Sequence, residues 1–249
     1  MSTNSTKPAP KDLFSQDDSF RKITLKDQLA DKLAHMISAG LIAEGDNIPS
    51  ERSLSETFNV SRETVRGALQ ILADLNYIEV AHGSRTKALK VDKKSTDNSL
   101  HSGVLQVQSY DAATVGETRV VIETAILRSA AMNISDTDLD RLQNLIVAQE
   151  KMSNDTVAFH ISDREFHTII YEAGGNALLS KMAGDVYSYA LESRHVAMQE
   201  ENAIQRSVNE HKVLYRALAS HDPDAAERAV RGHLDSIQKS TLRALERQK

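Results

Sequence analysis

Ile48-Pro49-Ser50-Glu51-Arg52, continued by Val60-Ser61-Arg62-Glu63-Thr64-Val65-Arg66-Gly67-Ala68-Leu69, is the stretch that decides the fold of the first half of this chain. Pro49 fixes its own φ, the Ser50 hydroxyl suits a helix N-cap, and Glu51 and Glu56 lie toward the positive end of the helix that follows. That helix runs through Leu54 and Phe58. Asn59, a residue that tolerates the left-handed region, ends it. Ser61 caps a second helix, with Thr64 at its third position. Val65, Leu69 and Leu72 fall four and three apart and share one face, while Arg62, Thr64 and Arg66 occupy the other. This is a helix-turn-helix pattern, in which the second helix buries one stripe and offers cations and a hydroxyl to a major groove.

Upstream, Leu25, Leu29, Leu33, Met36 and Ile37 form a helical stripe ended by Gly40, before a Gly45-Asp46 turn. Downstream, Asn76 marks a turn. Tyr77, Ile78 and Val80 then read as a short strand, His82-Gly83-Ser84 as a tip, and Ala88, Leu89 and Val91 as the return strand, which together make a wing. Residues 1–20 are polar and read as a disordered tail, 21–92 as the winged-helix domain, and 93–110 as a linker. From 111 to 249 the pattern is helical. One stripe carries Val115, Val121, Ile122, Ile126 and Leu127, the next Leu139, Leu142, Leu145 and Ile146, and a third Phe159, Phe166, Ile169 and Ile170. A long segment follows from Leu178 to Met198. Two more helices, Val208–Leu218 and Ala225–Leu245, are joined by a turn in which Pro223 suits the first helical position.

Composition agrees with a mainly α protein of two domains. Of 249 residues 4% are aromatic, and 10 Gly and 4 Pro are too few for a turn-rich β-architecture. The chain has no Cys, which excludes disulfides and thiolate metal sites. No apolar run reaches membrane-spanning length and no signal peptide opens the chain, so a cytoplasmic location with no membrane partner is expected. Residues 1–94 hold 14 Lys and Arg against 13 Asp and Glu, and the remainder 16 against 22. The acidic second half is a poor polyanion binder and is expected to do something else.

The stretch from Gly40 to Val80 resembles the winged-helix DNA-binding domain of the GntR superfamily of bacterial transcription regulators, with Ile48 where the family usually has Leu. The second half resembles the FCD domain, an antiparallel all-α bundle that senses small ligands. That likeness is carried by Glu117-Thr118-Arg119-Val120-Val121-Ile122-Glu123, Asp163-Arg164-Glu165-Phe166-His167, Gly175-Asn176-Ala177-Leu178-Leu179, Glu210-His211 and Gly232-His233-Leu234. The resemblance implies a homodimeric regulator on a double-stranded operator, expected to be a repressor and not an enzyme. Its expected DNA contacts are Arg52, Ser61, Arg62, Thr64 and Arg66, with His82, Gly83 and Arg85 from the wing. The residues alone leave open which Arg meets phosphate and which meets a base.

Asp163 and His167 are four apart on one predicted helix and project from one face. His211 and His233 lie on the two last helices, 22 residues apart. Single histidines on amphipathic helices are commonly core or surface residues. The FCD resemblance is what implies that these four residues bind a divalent ion, for which a carboxylate and three imidazoles suit Zn, Ni or Mn. His160, three before Asp163, leans toward the same face, either as an extra ligand or, the reading preferred, as a residue behind the ligands. Arg119 sits in an apolar helix; it either bridges Glu123 at the surface or, as the resemblance implies, faces the carboxylate of a small effector. Two alternatives stand beside the sensor reading. One is a metal-dependent hydrolase in the helical half, and the other is a regulator whose metal is purely structural.

Overall fold

A computed structural model describes residues 23–80, 85–90, 109–152, 155–189, 197–198, 200 and 202–247. The expected tail, most of the linker and the wing tip with His82 and Gly83 lie outside the described residues. Helix α1 (Leu25–Ser38) begins at a capping box in which Thr24 accepts from the Asp27 amide and Asp27 answers to the Thr24 amide. Helices α2 (Glu51–Phe58) and α3 (Arg62–Asp74) are capped by Ser50 and Ser61 as their spacing predicts. Asn59 between them is left-handed, with φ +51°. Strands β1 (Ile78–Glu79) and β2 (Lys87–Ala88) pair antiparallel, Ile78 opposite Ala88, and Asn47 bridges Lys87 from the other side. The first strand is shorter than the expected Tyr77–Val80, and Val91 of the expected return strand lies outside the described residues. Within the paired strands Ile78 and Ala88 are buried.

The second half holds six helices among the described residues: α4 (Ala112–Asn133), α5 (Asp136–Gln149), α6 (Thr156–Ala173), α7 (Ala177–Tyr187), α8 (Ala203–Ala219) and α9 (Pro223–Arg247). Helix α9 starts at Pro223, with Asp222 accepting from the amides of Asp224 and Ala225. The segment expected to run as one helix from Leu178 to Met198 stops at Tyr187, where Ser188 and Tyr189 form a turn. Val121, counted in the apolar stripe of α4, is 71% exposed; the buried stripe passes instead through Val115, Arg119, Ile122 and Ile126. In α3, Ala68 joins Val65 and Leu72 as a fully buried residue, and Leu69 is half-buried.

The two halves share core. Val157, Ile161 and Tyr187 belong to the same contiguous apolar cluster as Leu33, Leu54, Phe58 and Leu72 of the winged domain. The Lys32 ammonium lies 2.9 Å from the Glu165 carboxylate on α6, and Arg141 of α5 reaches the other oxygen of Glu165 at 3.2 Å.

Asn59→Ala should cost roughly 1–2 kcal/mol, the strain of a left-handed Cβ, whereas Asn59→Gly should leave stability within a few tenths of the original. Equilibrium urea unfolding of both variants checks this.

Candidate metal centre and nucleic-acid interface

Helix α6 brings Asp163 and His167 to one face, and the antiparallel pair α8 and α9 supplies His211 and His233 opposite. All four are buried. One nitrogen from each of the three imidazoles lies within 4.8 Å of the others. His167 Nε2 is 3.3 Å from His233 Nε2, and Asp163 Oδ1 is 3.1 Å from His211 Nε2 and 3.8 Å from His167 Nε2. His160 is buried on the same helix but lies outside this group, with its ring 6.3 Å from that of Phe159.

The outer nitrogens settle how the rings face. His211 Nδ1 meets Gln149 Oε1 at 2.8 Å, and the Gln149 amide nitrogen donates to Ser162, so the ring nitrogen is the donor in this pair. His233 Nδ1 donates to the Glu210 carboxylate at 2.7 Å, and this bond helps hold Glu210 below the usual carboxylate range against the opposing effect of burial. Both rings therefore turn the lone pair of Nε2 inward. Phe166 stacks on His211 with centroids 4.3 Å apart, which fixes the ring plane. Burial pushes the pKa of His167 well down and that of His211 down, in each case against the pull of Asp163, so both rings are neutral at neutral pH.

The inward lone pair of His211 Nε2 and the Asp163 Oδ1 that faces it at 3.1 Å repel unless a cation stands between them. A tetrahedral ion with bonds of about 2.05 Å spaces its ligands about 3.3 Å apart, which matches the His167–His233 separation. The donor set therefore fits a borderline divalent ion. Gln149 and Glu210 would then orient the ligands from behind. Sequence reading missed Gln149, because one Gln on an amphipathic helix carries no signal. Glu210 was visible only as the neighbour of His211.

Arg119 lies next to this group. Its guanidinium carbon is 5.9 Å from the Tyr187 ring, which is itself 5.6 Å from the His167 ring. The bridge to Glu123, read from the sequence as a surface alternative, is present but buried: Arg119 Nε meets Glu123 Oε1 at 2.7 Å, with side chains 9% and 1% exposed. Burial works to lower the Arg119 pKa and the Glu123 carboxylate outweighs it, so the cation is retained. Arg119 Nη2 and Thr241 Oγ1 are buried with no hydrogen-bond partner among the described residues. Both residues line a narrow cleft of about 40 Å³ between α4 and α9, together with Gly116 and Gln238.

In the winged domain the cations divide. Arg66 is held by Glu51 at 3.0 Å and by Glu63 at 3.3 Å, so it braces α3 against α2. Arg52 pairs with Glu56 across one exposed turn. Arg62 is exposed and forms no salt bridge among the described residues. The Ser61 hydroxyl accepts from the Thr64 amide and lies 2.9 Å from the Thr64 hydroxyl. Arg85 is exposed and lines a cleft of about 1010 Å³ with Arg66, Gln70 and the start of α6.

Comparison with known proteins follows the same division. Residues 25–87 match the bacterial regulatory proteins of the gntR family, and residues 114–236 match the FCD domain. The HTH-type transcriptional repressor NanR of Klebsiella aerogenes is 28% identical over 232 residues, 90% of this chain and 88% of that protein. Its counterpart in Citrobacter rodentium is 29% identical over 222 residues, 86% and 84% of the two chains. Among solved structures, E. coli McbR/YncC is similar with a TM-score of 0.51 at 20% identity, covering 91% of this chain and 99% of that one, a likeness of fold.

Two outcomes are expected. The folded-state pKa values of His167 and His211 lie below the unfolded value of ~6.5. On acidification the unfolded chain therefore takes up protons first. Metal-free protein should lose stability as pH falls from about 6.5 toward the folded values, as thermal melts across that window would record; His211→Gln should flatten the loss. Arg119→Met should destabilise by roughly 3–5 kcal/mol, because it leaves Glu123 charged and unpaired in the interior. Arg119→Met combined with Glu123→Leu should recover most of that in urea unfolding.

Proposed function

The chain belongs to the GntR family of bacterial regulatory proteins, in the group that carries an FCD domain, and from that premise we propose that it is a homodimeric repressor released from its operator when a small organic acid binds beside a divalent ion in the helical domain. The observation that carries this reading is the convergence of Asp163 Oδ1 and three imidazole nitrogens next to Arg119, a buried cation with one nitrogen unpartnered among the described residues. Zn, Ni or Mn would suit the ligands. Four protein ligands complete a tetrahedral shell, and a six-coordinate ion would keep positions for the effector's carboxylate, with Arg119 meeting the same group. NanR relatives are named as repressors, which supports that sign of regulation. No described helix is long and apolar enough to cross a membrane, in keeping with action on DNA in the cytoplasm.

On the DNA side, Arg62 and Thr64 are the base-reading pair, Arg85 extends toward the minor groove with the wing, and Arg66 fixes the angle between α2 and α3. Two copies would present two α3 helices to a pseudo-palindrome. The buried and complete ligand set also favours a second reading, in which the ion only stabilises the bundle. Titrating organic acids against the metal-loaded protein on its DNA separates the two, because a structural ion leaves DNA affinity unmoved.

In vitro selection from random duplexes should enrich a two-fold-symmetric sequence. On that sequence Arg62→Ala should weaken binding by about tenfold or more, corresponding to the ~1–3 kcal/mol of a base contact, whereas Arg52→Ala should stay within a few-fold. Fluorescence anisotropy at two salt concentrations measures both. Failure to enrich any symmetric sequence would overturn the regulator reading.

A further inference from the structure

Helix α6 faces two partners. Asp163 and His167 look toward His211 and His233. About half a turn round the helix, Val157 and Ile161 join the apolar cluster of the winged domain, and Glu165 receives Lys32. Tyr187, the last residue of α7, takes part on both sides. Its ring is fully buried in that same cluster and lies 4.8 Å below the Arg164 guanidinium. Its hydroxyl donates to Asp163 Oδ2, while Oδ1 of the same carboxylate faces the imidazoles. The Arg119 guanidinium also sits against the ring.

From this geometry, and resting on the metal reading above, we propose that Tyr187 is the positioning residue that holds Asp163 in its ligating orientation and passes occupancy of the site to the winged-helix core. A carboxylate with one oxygen anchored by a phenol has one orientation left for the other. An ion that draws on Oδ1 therefore acts on Oδ2, on the phenol, and on the apolar contact in which the ring is embedded. Close packing makes such a contact shift as a unit instead of deforming gradually. A carboxylate ligand at Arg119, whose guanidinium lies 5.9 Å from the ring centre, would act on the same ring, so ion and effector would share one output.

The test uses the full chain, with Co²⁺ as the ion and two readouts: the d–d absorption of the site, and amide hydrogen exchange of α1 and α2. In the wild type, Co²⁺ should bind and slow exchange in α1 and α2 several-fold. Tyr187→Phe keeps the ring and removes the hydroxyl. It should weaken Co²⁺ binding about 10- to 100-fold, change the absorption band, and lose the slowing of α1 and α2 even at saturating Co²⁺. Unchanged affinity with undiminished slowing in Tyr187→Phe overturns the proposal, and so does a wild type that binds Co²⁺ without any change in α1 and α2, which leaves the metal reading standing. A wild type that binds no Co²⁺ removes both. If Tyr187→Phe fails to fold, Ile161→Ala loosens the same apolar contact with the hydroxyl and ligands in place; it must keep the Co²⁺ spectrum and lose the slowing, and keeping both is a refutation.

Discussion

The burial of helix α6 is the constraint from which the helical half follows. Thirteen of its eighteen residues are buried, and Ser162, Asp163, Glu165 and His167 are among them. A polar side chain removed from water needs a partner. The partners come from three different elements: Gln149 of α5 for Ser162, Lys32 of α1 and Arg141 of α5 for Glu165, Tyr187 of α7 for Asp163. Apolar packing alone would allow the surrounding helices to slide. The polar partners specify one arrangement, and that arrangement brings in His211 and His233.

The same constraint explains why the halves of the chain do not have fully separate cores. Glu165 lies two residues from Asp163, yet its carboxylate is turned to a lysine of the winged domain. A change in the polar centre of the bundle is therefore one helix width from the surface that carries α1 and α2. Regulation of DNA reading by a distant ligand requires two arrangements that each ligand stabilises differently. The shared cluster around Val157, Ile161 and Tyr187 is where such arrangements would differ.

How much could be read from sequence depended on the range of the interaction. The helix-turn-helix was legible because Ser50, Asn59 and Ser61 act on amides within three residues or through their own φ, so their effect is written locally. The convergence of Asp163, His167, His211 and His233 was legible through a four-residue spacing together with a family resemblance. Partners set by tertiary packing were not legible. Arg66, expected as a DNA contact, also pairs with Glu51 fifteen positions back, a partner that local spacing does not reveal. The Arg119–Glu123 pair was legible only as a surface alternative to an effector-facing Arg119, because spacing fixes who meets whom and says nothing about what covers them. Tyr187 carried no signal at all, being one of 6 Tyr in a chain of apolar stripes.

The turn between α8 and α9 is short and tied down. His221 adopts φ +51°, and its Nδ1 reaches the Ala131 carbonyl at the end of α4 at 2.9 Å. With the hairpin pinned there, the two imidazoles it carries are phased by residue count alone. One residue gained or lost between either ring and the turn would swing that ring by about 100° around its helix axis. The hairpin can thus vary in composition over most of its surface, while its length behaves as a fixed gauge.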